Sequence, residues 1–153
     1  IWECNSNCAC TGDCRNRVVQ KGRTVALDIF KSPTPYKGWG IRAKQRIKAG
    51  TFITVYAGEL LSWDTSETRA ELYETASTTY ILDIDSHHIR HSMMTYSIDA
   101  GLWGNLARYF NHSCNPNMNL YPVYTEERDL RRPFLAFFAN KEIYEGEELT
   151  FAY

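Results

Sequence analysis

Apolar and polar residues alternate with a period of two along several short stretches of this chain, and that period belongs to strands rather than helices. Residues 25–30 (VALDIF) alternate in this way, and residues 51–56 (TFITVY) add β-branched and aromatic side chains. Residues 80–85 (YILDID) alternate carboxylates with apolar positions, and residues 95–99, 118–124 and 134–140 read as further strands. Within the last of these, FLAFF has no polar face, which predicts an interior strand. One segment reads as helix: over residues 63–76 Asp64 can cap, Glu67 follows three positions on, and Leu72 and Tyr73 supply an apolar patch. Turn chemistry separates the elements at 31–37 (two prolines), 48–50, 101–104 and 144–147, and a charged loop is expected over 125–133. A last short stretch, 149–153, closes the chain. The expected fold class is mainly β with short helices.

Two stretches do not fit a period. Gly38-Trp39-Gly40 interrupts the pattern before Ile41. It is either a turn around a core tryptophan or a place where another body approaches the backbone closely. Residues 105–117 (NLARYFNHSCNPN) combine turn-forming asparagines and proline with an arginine, an imidazole and a thiol. Such a segment is poor material for a core helix or strand and reads as a buried loop whose polar groups serve a ligand or neighbouring chain.

Composition narrows the class. The 153 residues suffice for one domain with a real core. No run reaches the roughly 18 apolar residues of a membrane span, no secretory signal opens the chain, and the opening IWECNSNC reads as a cut within a larger protein. The net charge of −1 argues against a phosphate backbone as the main partner. Charge is unevenly spread: residues 15–48 hold ten Lys or Arg and one acid, and residues 59–85 hold seven acids and one base. Two solvated faces account for this, although the acidic block also suits a cationic peptide.

Cys4, Cys8, Cys10 and Cys14 follow a C-x3-C-x-C-x3-C spacing. Disulfides are one reading, but Cys8 and Cys10 are crowded and nothing indicates export, so thiolate ligation of zinc is the better one. His87, His88 and His91 sit in a polar loop without an acid or thiol partner nearby and read as solvated.

RYFNHSCNPN at 108–117, followed by GEELTFAY at 146–153, resembles the paired signature of the SET domain, the fold of protein-lysine methyltransferases. CRNRVVQ, GWG and YAGEL occur in the family's order ahead of them. The resemblance implies small β-sheets in which the two signature segments cross as a pseudoknot, an exception to the usual avoidance of threaded loops. It implies that residues 1–22 are the end of a zinc-binding pre-SET segment, of the kind found in histone H3 lysine-nine methyltransferases, and that residues 23–153 are the SET domain. By the same resemblance, Cys4, Cys8, Cys10 and Cys14 are zinc ligands, and Cys114 shares a zinc with cysteines of a downstream post-SET segment that these residues do not include.

The implied cofactor is S-adenosylmethionine, held by Gly38, Trp39, Gly40, Tyr80, Arg108, Tyr109, Asn111 and His112. Tyr153 and Tyr56 are the implied catalytic residues, Phe151 the product-degree residue, and Asp83 and Asp85 contacts for a basic tail. The implied substrate is a histone H3 tail, most specifically lysine nine with di- or trimethyl product, on chromatin in the nucleus, with no direct nucleic-acid site and no membrane. Ala152 departs from the usual FDY, which keeps open a non-catalytic module that binds histone or serves as a scaffold. Methylation of another histone lysine is the second enzymatic reading.

Overall fold

The computed structural model describes residues 1–35, 37–76, 79–84, 96–125 and 130–153. Among the described residues, ten strands form four small sheets. An antiparallel hairpin joins β1 (Leu27–Lys31) to β2 (Trp39–Ala43), with Ile29 opposite Ile41. A second sheet has the order β3 (Phe52–Val55), β9 (Phe134–Ala139), β8 (Met118–Val123). The apolar run of 134–138 therefore takes the central position, with Leu135, Ala136 and Phe137 buried and Phe134 half exposed at its start. A third sheet has the order β4 (Gly58–Ser62), β6 (Tyr96–Gly104), β5 (Ile81–Asp83). In the fourth, β7 (Asn111–His112) pairs in parallel with β10 (Thr150–Phe151), which sets the segments 105–117 and 146–153 side by side.

The core fills the space between these sheets. Phe110, Phe137, Ile41, Ile53, Met118 and Leu149 are fully buried, and Phe137 stacks edge-on against Phe110 at 5.0 Å and Phe151 at 4.9 Å. The first residues dock on β8: the Glu3 amide donates to the Tyr124 carbonyl at 2.9 Å, and Trp2 stacks on Tyr124 at 4.5 Å. Burial alone would raise the Glu3 carboxyl. The amides of Val19, Val18 and Gln20 and the Gln20 side chain instead hold it below the ordinary carboxylate range. Among the described residues no helix is long and apolar enough to cross a membrane.

The helix α1 (Trp63–Ala76) forms where expected but is anchored differently. Trp63 opens it, so Asp64 lies in the first turn, where its charge faces the positive end of the helix. Leu72 is 65% exposed and forms no apolar patch. Polar contacts hold the helix instead: Arg69 and Tyr73 both donate to Asp99 on β6, each at 2.8 Å.

The expected turn at 101–104 is also corrected, because β6 continues through Gly104. Gly58 pairs with Gly104 and Glu59 with Asp99, so residues 100–103 bulge from the ladder. Glycine is needed there for close approach, since a Cβ on Gly101 would run into the Tyr73 hydroxyl. Elsewhere β1 begins two residues later than expected, and within 149–153 the strand is Thr150–Phe151. The segment 105–117 is less irregular than its composition suggests. It holds a 3-10 turn, Leu106–Tyr109, capped by the Asn105 side chain on the Ala107 amide, and then β7. Asp85, His87, His88 and His91 lie outside the described residues.

Candidate active site

Short strand ends deliver the aromatic residues to one place. Tyr56 follows β3, its amide held by the Leu135 carbonyl at 2.7 Å and its ring edge-on to Phe137. Phe151, 6% exposed, ends β10, and Tyr153 lies two residues beyond it with the rings 4.9 Å apart. Together with Tyr80, Leu82, Asp83, Arg108 and Phe110, these residues line a cavity of about 370 Å³.

The two phenols are held alike. Tyr56 donates its hydroxyl proton to the Tyr80 carbonyl at 2.7 Å, and Tyr153 donates to the Phe110 carbonyl at 2.8 Å. Tyr153 is largely exposed along its ring, but its hydroxyl turns inward to that carbonyl. The Tyr80 carbonyl also accepts the Ala100 amide at 3.1 Å, so β6 fixes the group that orients Tyr56. Burial, then the neighbouring Tyr153 and Asp99, push the Tyr56 phenol far above its ordinary value, against the pull of Arg108. Burial also raises the Tyr153 phenol, with Tyr80 adding to the shift. Both phenols therefore stay protonated at neutral pH, and with each O–H committed to a carbonyl, their lone pairs remain as acceptors.

Arg108 supplies the complementary group. Its guanidinium lies 4.2 Å from the Tyr80 ring centre and 5.5 Å from that of Tyr109. Its Nε is buried and has no hydrogen-bond partner. A buried, unpaired cationic donor in a cavity wall fits an anionic or strongly accepting ligand group. Asp83 stands on the opposite side in charge, accepting the Ser97 hydroxyl at 2.7 Å at the exposed edge of β5.

The remaining residues expected to hold a cofactor form a neighbouring cluster and do not line this cavity. Asn111 donates to the Trp39 carbonyl at 3.1 Å and to Glu148 at 2.8 Å, and Lys37 pairs with the other Glu148 oxygen. Gly40 is packed so closely that a Cβ would come within 2.9 Å of Glu148 and 3.1 Å of the Asn111 amide. Trp39 is 54% exposed, which rules out the core-tryptophan reading, and Gly38 leads into β2 at φ 67°. Tyr109 meets the site through Arg108. His112 meets it through Tyr153, whose amide donates to its Nδ1 at 3.1 Å. The β7–β10 ladder joins the two regions, because His112 pairs with Phe151.

The Sγ atoms of Cys4, Cys10 and Cys14 all lie within 4.8 Å of one another. Tetrahedral zinc with bonds of about 2.3 Å sets its thiolates roughly 3.8 Å apart, so these three can hold it with little movement. A hydrogen bond from Arg17 lowers the Cys10 thiol. The Asn16 side-chain amide lowers Cys4, but the Cys14 thiol, burial, and the Cys10 and Cys8 thiols together outweigh it and carry Cys4 up to about 11. Cys8 lies outside this group of three, exposed and bonded to Asn5. Cys114 is far from this group in sequence, exposed, and 3.5 Å from His112 Nε2.

Several organising residues escape sequence reasoning. Asp99 is 1% exposed and accepts from Arg69, Tyr73 and the Gly101 amide, and its only signal is a carboxylate flanked by Ile98 and Ala100 in an apolar run. Asn117 is buried and exchanges hydrogen bonds with the Glu148 carbonyl and the Thr150 amide. Asn105 donates to the Val55 carbonyl beside Tyr56. Glu148 carries no signal beyond being the second acid of GEE.

A family model described as the SET domain matches residues 38–153. The histone-lysine N-methyltransferase SUV39H1-A of Danio rerio is 44% identical over 153 residues, which is 100% of this chain and 36% of that protein. The chain spans about a third of the length of the first curated relatives it matches. Among solved structures, the methyltransferase domain of human SETMAR superposes with a TM-score of 0.87 at 40% identity, covering 100% of this chain and 53% of that one. KRYPTONITE in complex with DNA, an H3(1-15) peptide and SAH superposes with a TM-score of 0.79 at 32% identity, over 99% of this chain and 28% of that one.

Proposed function

The chain belongs to the SET-domain family, and on that premise we propose that it is the catalytic part of an S-adenosylmethionine-dependent histone-lysine N-methyltransferase. The observation that carries this reading is the pair of phenols, Tyr56 and Tyr153, each donating to a backbone carbonyl in one aromatic cavity. S-adenosylmethionine supplies a methyl group on a positively charged sulfur, and Tyr80 and Arg108 would hold it together with Gly38, Trp39, Gly40, Tyr109, Asn111 and His112.

The protein's own contribution is position and solvent exclusion. A lysine amine has a pKa of about 10.4 and at neutral pH is almost wholly protonated. The buried rings of Tyr56, Phe110 and Phe151 in the cavity walls exclude water and favour the neutral amine. The phenol oxygens accept its N–H groups and aim its lone pair, and alignment of this kind supplies roughly 7–11 kcal/mol in favourable cases. Neither phenol takes the amine's proton, because burial keeps both protonated; the proton leaves to solvent.

Phe151 brings no hydroxyl to the channel, which leaves room for a methylated amine to turn and supports di- or trimethylation. Asp83, with Asp85, would meet basic residues of the tail. A histone H3 tail, with lysine nine as the methyl acceptor, is the proposed substrate, supported by the likeness to SUV39H1-A and by the H3 peptide bound in the KRYPTONITE structure. Chromatin in the nucleus is the corresponding location. Residues 1–22 would be the end of the zinc-binding segment ahead of the SET domain, with Cys4, Cys10 and Cys14 holding the metal, Cys8 joining on rearrangement, and Cys114 serving a separate zinc.

Titration calorimetry with S-adenosylmethionine, followed by radiolabel transfer to histone peptides, tests the reading. Binding followed by transfer is expected. Binding without transfer, by the protein with its flanking cysteine segments, would instead make it a histone-binding scaffold.

A further inference from the structure

The β7–β10 ladder ends at Phe151, with the Ser113 amide on the Phe151 carbonyl at 3.0 Å, yet Tyr153 must be placed two residues further on. Its backbone amide finds the imidazole of His112, at 3.1 Å from Nδ1, and its ring stands edge-on to the same imidazole at 5.3 Å. An amide N–H can only donate, so Nδ1 must carry a lone pair. In a neutral ring the proton then sits on Nε2, which faces the Cys114 sulfur at 3.5 Å. The imidazole is thus a bracket between Cys114 and Tyr153, and the amide contact alone fixes its tautomer.

We propose that the His112 side chain is a positioning residue for Tyr153: by accepting the Tyr153 amide at Nδ1 and packing edge-on to its ring, it sets the backbone from which the Tyr153 hydroxyl reaches the Phe110 carbonyl. This assigns the imidazole a task distinct from cofactor contact, which falls to the His112 backbone, and rests on the methyltransferase reading only where turnover is measured. Without the bracket, the phenol keeps its contacts to Phe110 and Phe151, but its backbone is free to shift.

The test compares His112→Phe, which keeps a ring but has no acceptor, with His112→Asn, whose amide oxygen can occupy the Nδ1 position. Misplacement of a catalytic group by about 1 Å costs on the order of 100-fold. His112→Phe should therefore lower kcat by about 10- to 100-fold with the KM for S-adenosylmethionine unchanged, and His112→Asn should recover most of the loss. Independently of turnover, exchange of the Tyr153 amide proton, followed by NMR on protein with isotope-labelled tyrosine, should be slow in the wild type and His112→Asn and fast in His112→Phe. Equal exchange in all three proteins overturns the proposal, as does a raised cofactor KM with unchanged kcat. If the wild type itself transfers no methyl group, the functional reading fails, and the exchange measurement still decides this proposal.

Discussion

Replacing Tyr56 with phenylalanine separates the chemistry of the cavity from its packing. The ring stays, with its edge-on contact to Phe137 at 6.5 Å, and only the hydroxyl is removed. That hydroxyl donates to the Tyr80 carbonyl, which keeps a second donor in the Ala100 amide at 3.1 Å and so is not orphaned. The stability cost should be that of one ordinary hydrogen bond, about 0.5–1.5 kcal/mol. The cost to catalysis should be larger, because the lost oxygen is one of two acceptors for an amine that acquires charge as it reacts. A hydrogen bond to a charged group contributes about 1.5–3 kcal/mol, which corresponds to a drop in kcat of about 10- to 150-fold. Urea unfolding and single-turnover transfer to a histone H3 peptide measure the two quantities on the same preparation. A Tyr56→Phe protein with wild-type kcat would refute the role given to the phenol. A large loss of stability alongside a small loss of rate would show the hydroxyl to be structural.

The buried Asp99 carboxylate should dominate the stability of the β4–β6–β5 sheet, so Asp99→Ala, which strands Tyr73 and the Gly101 amide, should cost about 3–5 kcal/mol in urea unfolding. Burial would raise its carboxyl, but Arg69, Gly101 and Tyr73 hold it below the ordinary range of about 3.9. Its contribution is therefore complete above that range and lost as pH falls through the lower folded value; acid unfolding in which Asp99→Ala and the wild type lose stability in parallel would contradict this. Gly40→Ala should force the new methyl against Glu148, Phe30 and Asn111, costing about 1–3 kcal/mol and weakening S-adenosylmethionine binding in calorimetry. Unchanged affinity would detach this cluster from the cofactor. Since both phenols are raised, kcat/KM should climb from neutral pH to about pH 9 through the substrate amine alone, and a flat profile would count against deprotonation limiting the rate.

Local chemistry explains which features were legible in the sequence. FLAFF announced an interior strand because it lacks a polar face, and the structure makes it the centre of its sheet, with only Phe134 at its start half exposed. The helix at 63–76 was legible from its termini, but not its anchoring, because the side chains that hold it answer a carboxylate thirty residues away. Gly101 and Gly104 imitate a turn when their smallness serves a bulge pressed against Tyr73 and Ala100. The family resemblance named Tyr56, Tyr80, Asp83, Arg108, Phe151 and Tyr153 separately, and only the fold places them around one cavity. Asn111, His112 and the GWG loop show the limit of motif reading: they are brought together by Glu148 and a two-residue parallel ladder, pairings that no periodicity encodes. The cysteine spacing pointed to a metal, whereas the convergence of Cys4, Cys10 and Cys14 without Cys8 depends on backbone turns that spacing does not specify.

Mass spectrometry of a histone H3 tail peptide incubated with S-adenosylmethionine and the protein, wild type beside Tyr153→Phe, tests the central claim most directly. The wild type should give dimethyl and trimethyl product at lysine nine, and the variant should lose most of it. Cofactor binding without any gain in peptide mass, or product formation indifferent to the loss of the Tyr153 hydroxyl, would contradict it.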